Sequence, residues 1–98
     1  MLLINHRVNT IEKLKETPQH AGVEVDIRAY KDTLILHHDP FVEGVQLEEF
    51  LQHYNHAFII LNVKCEGIEI KSIELMKKYN IHNYFLLDVS FPFIIKLI

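Results

Sequence analysis

Two carboxylates, Glu24 and Asp26, stand two residues apart in the run GVEVDIRAY, and His37, His38 and Asp39 close the next run, TLILHHD. His6 and Arg7 follow an N-terminal LLIN, and Lys64 follows AFIILNV. These residue types suit phosphate chemistry. Cleaving a phosphodiester needs one group to take a proton from the attacking hydroxyl and another to return one to the leaving oxygen. Imidazole does either near neutral pH. His6 and one of the His37–His38 pair are the candidates. Arg7 can hold phosphate oxygens by two parallel bonds, and Lys64 can do so as a point charge. Glu24 and Asp26 repel each other unless something positive stands near. A hard divalent cation with oxygen ligands is one solution. Ion pairs with Arg7, Arg28 or Lys64 are the other.

The elements that must position these groups follow from periodicity. LLIN reads as a short buried strand. Asn9 caps a helix with Glu12 three residues later, a capping-box pattern, and Ile11 and Leu14 give that helix its apolar face. Val23, Val25 and Ile27 alternate with Glu24, Asp26 and Arg28, so one face of the second strand is apolar and the other polar. The short polar break at Lys31-Asp32 favours a hairpin into TLIL, with Asp26 roughly opposite His37, while a parallel alternative needs an irregular return of the chain and also gathers these groups at the strand ends. Pro40 and Gly44 mark a loop. Leu47, Phe50, Leu51 and Tyr54 form a helical stripe. AFIILNV reads as a fourth strand buried on both sides. Ile70, Ile73 and Met76 mark a helix closing near Asn80. YFLLDV is a fifth strand, and Pro92 suits the first turn of a last helix. This alternation implies an α/β fold with a mainly parallel sheet. The polar residues gather at the C-terminal ends of the strands, with Asp88 and Ser90 ending the fifth, and that end carries the site in α/β folds.

Composition narrows the function classes. The chain has 98 residues and a formal net charge of −3, with no basic block, so a surface that tracks nucleic-acid phosphates is not expected. No apolar run reaches the roughly 20 residues of a membrane span, and no signal peptide is evident. Cys65 is the lone cysteine, which excludes an intrachain disulfide and makes the reducing cytoplasm the default. Cys65 reads as packing. His20, His53, His56 and His82 sit beside helix ends and read as solvated.

The ordered set of His6-Arg7, Asn9-Thr10, Glu24-x-Asp26, His38-Asp39, Asn62-x-Lys64 and Ser90-Phe91 resembles the N-terminal part of the glycerophosphodiester phosphodiesterase family. That family is related to the phosphatidylinositol-specific phospholipases C, and the resemblance covers nearly the whole chain. It implies a TIM-type barrel that cleaves small-molecule glycerophosphodiesters in lipid metabolism. It implies a divalent cation, Mg or Ca, held by Glu24, Asp26 and the position of Asn62. His6 and His38 would be the acid–base pair, with a glycerol hydroxyl attacking phosphorus. Arg7 and Lys64 would bind the phosphate.

The chain departs from the family pattern in three ways. Val8 stands where glycine usually follows His-Arg, in a shortened loop. Asn62 stands where an acid is usual, which removes one negative charge and weakens metal binding, with Glu66 near enough to compensate. About five of the eight barrel strands are present, so residues 1–98 read as one incomplete phosphodiesterase-like barrel domain. The expectation is a truncated fragment with little or no activity, whose open sheet edges offer a route to self-association. The rival reading is a non-catalytic α/β module that binds phosphate or a metal and needs a partner chain.

Overall fold

A computed structural model describes residues 3–39, 42–64, 67–88 and 94–97. In chain order these form β1 (Ile4–Asn5), α1 (Ile11–Glu16), β2 (Gly22–Tyr30), β3 (Thr33–Leu36), β4 (Val45–Gln46), α2 (Leu47–Leu51), β5 (Phe58–Val63), α3 (Glu69–Lys78), β6 (Tyr84–Asp88) and β7 (Ile94–Leu97). Ser90, Phe91, Pro92, Cys65, Glu66 and Pro40 lie outside the described residues, so the expectations placed on them are not addressed.

The α/β class holds, with all the described strands in one mixed, open sheet. β2 is its spine. One edge of β2 pairs in parallel with β5 from Gly22↔Phe58 to Ile27↔Val63, and β5 pairs in parallel with β6. The other edge is shared. β1 lies parallel along its start, at Ile4↔Gly22 and Asn5↔Val23, and β3 lies antiparallel along its end, from Ile27↔Leu36 to Tyr30↔Thr33. β4 adds antiparallel to β3 and β7 antiparallel to β6, so these two are the outer strands.

The expected hairpin is present. Lys31 and Asp32 both have positive φ, 47° and 66°, and form a two-residue loop whose twist suits the flanking strands. The register is the expected one, and His37 N–H donates to the Asp26 carbonyl at 3.1 Å.

Alternation along β2 and β5 separates two faces. Val23, Val25, Ile27, Ile59, Leu61 and Val63 are fully buried against the helices, which contribute Leu14, Leu47, Phe50, Leu51 and Met76. Full burial of each such side chain stabilises by about 1.5–3 kcal/mol. The opposite face carries Glu24 and Asp26, with Ile60 and Asn62 as their cross-strand partners. Below them Phe58 covers Gly22 and meets Phe85 edge-on, with ring centroids 5.8 Å apart. A Cβ on Gly22 would lie 2.3 Å from the Phe58 ring, so this aromatic floor requires glycine.

Several expectations need correction. The helix expected after Pro92 is replaced by β7, which pairs with β6 from Tyr84↔Leu97 to Leu87↔Ile94. The β-branched run Ile94-Ile95 suits a strand, and the free edge of β6 supplies its hydrogen bonds. The sheet is not mainly parallel, since the β2–β3, β3–β4 and β6–β7 pairings are antiparallel. Val45-Gln46, read as loop, is a short strand, and Tyr54 lies beyond the end of α2. The cap of α1 is Thr10, whose hydroxyl accepts from Lys13 N–H at 3.1 Å, not Asn9. No helix among the described residues is long and apolar enough to cross a membrane.

Candidate functional site

His6 and Arg7 follow β1, Asn62 and Lys64 lie at the end of β5, and His38 follows β3, while Glu24 and Asp26 stand within β2 on its polar face. They form three contacting groups.

The first is built on Asp26, which is 1% exposed. Asn9, displaced from the cap by Thr10, is free to reach it. Asp26 N–H donates to Asn9 Oδ1 at 2.9 Å, and Asn9 Nδ2 donates to Asp26 Oδ2 at 3.0 Å. Because the backbone N–H fixes which Asn9 atom is the acceptor, its amide nitrogen must face the carboxylate. Asp26 Oδ1 accepts from Asn62 Nδ2 at 3.3 Å, and Lys64 Nζ lies 3.8 Å from the same oxygen. A buried carboxylate needs such compensation, because an unpaired one would cost several kcal/mol.

The second group is His6 with Glu24. His6 Nδ1 lies 3.4 Å from Glu24 Oε1, with the His6 side chain 71% exposed. The chain beyond it is held by Val8 N–H, which donates to the Glu24 carbonyl at 2.8 Å, and by the buried Val8 side chain. Between them Arg7 takes φ 51°, the left-handed region, which costs an ordinary residue about 1–2 kcal/mol.

The third group is His38. An Arg7 guanidinium nitrogen lies 3.1 Å from His38 Nε2. Arginine only donates, so Nε2 is the acceptor and the ring proton sits on Nδ1. Nδ1 lies 3.3 Å from Asp39 Oδ1, where that proton is donated. Arg28 clamps the His38 carbonyl with two bonds, 3.1 Å from Nε and 2.7 Å from the terminal nitrogen. His37 is occupied differently: its Nδ1 accepts from Asp39 N–H at 3.0 Å, which makes it a turn-holding residue. Of the two adjacent histidines, His38 is the one joined to Arg7.

The two candidate acid–base groups share one wiring. Each imidazole has Nδ1 turned to a carboxylate, Glu24 for His6 and Asp39 for His38, which leaves Nε2 on the far side of the ring. Arg7 is the neighbour of one and the hydrogen-bond partner of the other. The imidazoles line adjoining hollows rather than a single one. His6 borders one of about 400 Å³, and His38 with Arg7 borders one of about 590 Å³. Lys13 and Glu16 line both.

Of the two solutions the sequence left open, the ion pair is the one present, and it serves Asp26. Its partner is Lys64, while among the described residues Glu24 pairs with the exposed His6 imidazole. Among the described residues, no group of three or more His, Cys, Asp or Glu side chains is placed to hold a metal ion. Asn62 adds an oxygen directly across from Asp26. As the side chains stand, Asp26 Oδ1 is taken by the Asn62 amide nitrogen and faces the Lys64 ammonium, so a cation held by Glu24, Asp26 and Asn62 would have to displace both.

Reading the sequence alone names Asn9 as a helix cap and Arg28 as an ion-pair partner, and misses that they hold Asp26 and the His38 carbonyl. Asn9 passes for a cap because Asn and Thr both cap helices. Only one of two adjacent caps can be used, so the other amide is free for a longer-range partner. Arg28 stands one strand period beyond Asp26 on the same face, and that spacing is the signal that could have found it.

No protein-family model matches the chain, and neither a curated protein nor a solved structure matches it.

Proposed function

We propose that the chain is the N-terminal part of a glycerophosphodiester phosphodiesterase-like barrel whose chemistry is metal-dependent phosphodiester cleavage, weak or absent in this chain alone. The observation that carries this reading is the pair of carboxylate-backed imidazoles joined through Arg7. The topology supports the barrel. β1, β2, β5 and β6 run parallel, each beside its predecessor, and the helix side chains pack on one face only. Parallel strands that advance the same way with their helices on one side suit a barrel, whereas a doubly wound sheet has helices on both faces.

In the proposed reaction Arg7 and Lys64 hold the phosphate oxygens of a small glycerophosphodiester. A glycerol hydroxyl attacks phosphorus, and one imidazole takes its proton as the new P–O bond forms. The bond to the departing alcohol breaks, and the other imidazole protonates that oxygen. Each such transfer contributes about 10²–10⁴-fold to rate. Glu24, Asp26 and Asn62 would hold Mg or Ca, which supplies positive charge to the phosphoryl oxygens. With a cation on Asp26, Lys64 would be free to pair with a phosphate oxygen.

The test is turnover of a chromogenic phosphodiester, with and without EDTA. Slow, EDTA-sensitive turnover that falls about 10²-fold in His6→Ala or in His38→Ala is expected. Turnover unchanged by both substitutions contradicts the reading.

The separate hollows and the closed Asp26–Lys64 pair favour a second reading, a non-catalytic α/β module that binds phosphate or metal with a partner chain. Under that reading the histidine variants keep their ligand affinity and no catalysis is there to lose.

A further inference from the structure

We infer that Arg7 is a phosphate-released latch on the base. The inference rests on the proposed phosphodiester chemistry and adds a regulatory step to it: His38 is blocked until an anion draws Arg7 away.

The argument starts from hydrogen-bond capacity. Neutral imidazole has one nitrogen lone pair that can take a proton. In His38 that lone pair is on Nε2, and Arg7 already donates to it at 3.1 Å. Asp39, on Nδ1, holds the ring in this tautomer. Arg28 holds the His38 carbonyl by two bonds, so the backbone beneath the ring is fixed. The base is thus oriented and occupied at once. Nε2 can keep the Arg7 bond or accept a proton from an attacking hydroxyl, not both.

Arg7 is suited to let go. Its side chain is exposed, and its contact with an imidazole nitrogen is a bond to a neutral acceptor. A phosphate offers two charged oxygens to the same planar fork, and charge-assisted pairs of this kind are roughly twice as strong as neutral ones. Its backbone is held at φ 51° by the Val8 N–H bond to the Glu24 carbonyl, so the guanidinium pivots from a fixed point. When phosphate takes the guanidinium, the Nε2 lone pair is exposed beside the bound anion. The hydroxyl O–H then breaks as the Nε2–H bond forms, and the oxygen's electron pair goes to phosphorus. Without substrate the base stays covered.

The test is nitrogen NMR of the imidazoles in the full 98-residue chain, titrated with inorganic phosphate. In the free protein His38 is expected in the Nδ1–H form with Nε2 hydrogen-bonded. Phosphate is expected to shift the Arg7 side-chain signals and His38 Nε2 together, with one midpoint. Arg7→Met is expected to remove the tautomer bias before any phosphate is added and to weaken phosphate binding about tenfold. Arg7→Lys keeps a donor and the same backbone constraint, and is expected to restore the bias. A merely structural Arg7–His38 bond would lose the tautomer bias in Arg7→Met but would leave His38 Nε2 unmoved by phosphate in the wild type. Phosphate that shifts Arg7 and leaves His38 Nε2 unchanged overturns the latch while the phosphodiester reading stands. Failure of phosphate to shift Arg7 overturns the latch as well, and the reading is then judged by turnover alone.

Discussion

Asn9 and Asp26 meet twice, once through the Asp26 backbone N–H on Asn9 Oδ1 and once through Asn9 Nδ2 on the Asp26 carboxylate. The residue that resembles a helix cap is instead the clamp on the one buried carboxylate of the site. Removing it strands a backbone donor and one carboxylate oxygen together. Asn9→Ala is therefore expected to destabilise the fold by about 2–3 kcal/mol. Thr10→Ala, which removes the true cap, is expected to cost about 1 kcal/mol. Urea denaturation of both variants checks the order. The reverse order would restore Asn9 as the cap.

Lys64 and Asp26 form the second pair to test. Lys64→Met leaves a buried carboxylate without its counter-charge and is expected to cost about 3 kcal/mol. Adding Asp26→Asn to that variant removes the stranded charge and is expected to recover most of the loss. Additive effects in the double variant would mean that the 3.8 Å contact carries no coupling.

Asn62 sets the charge of the proposed cation site. Asn62→Asp adds an anionic oxygen across from Asp26, and tighter Mg or Ca binding is expected. At a cation concentration 100-fold above Kd the stabilisation is about 2.7 kcal/mol, which raises Tm by roughly 10–20 °C in a domain of this size. The measurement is Tm against cation concentration for both proteins. An equal response from the two would remove Asn62 from the site.

The pH dependence of stability has one clear source away from the site. The Glu48 carboxyl is held below its ordinary value of 4.5, first by the hydrogen bond from Lys78 and then by that from Tyr79. A carboxyl lowered in the folded state adds stability at neutral pH. That stability is lost as pH falls through the lowered value. The Tm gap between the wild type and Glu48→Gln is expected to be widest near neutrality and to close below the ordinary carboxylate range. The gap is expected to be small and to shrink with salt, because both side chains of the pair are well exposed, at 62% and 39%.

The parts of this molecule legible in its sequence are those fixed by strict alternation. In β2 one face is buried and one polar, so a slip of one residue would invert both, and the register against β3 follows. That is why Asp26 opposite His37 could be read off directly. β4 and β7 were not legible, because a two-residue strand and a short apolar run take their state from the neighbouring edge. The groups of the site were legible, but not their contacts. The spacing of His38 places it near the site, while the direction of its ring depends on Arg28 gripping its carbonyl. Spacing likewise cannot choose between Asn9 and Thr10 as the cap, since the choice depends on a strand residue 17 positions away.

The central claim is that His6 and His38 serve one phosphate. Groups that act on the same transition state are strongly non-additive, because losing either disables the step that needs both. The most direct measurement is phosphodiester turnover by His6→Ala, by His38→Ala and by the double variant, at matched protein concentration. Either single substitution is expected to lower the rate nearly as far as the double does. Losses that multiply in the double variant would mean two independent sites, and would contradict the account.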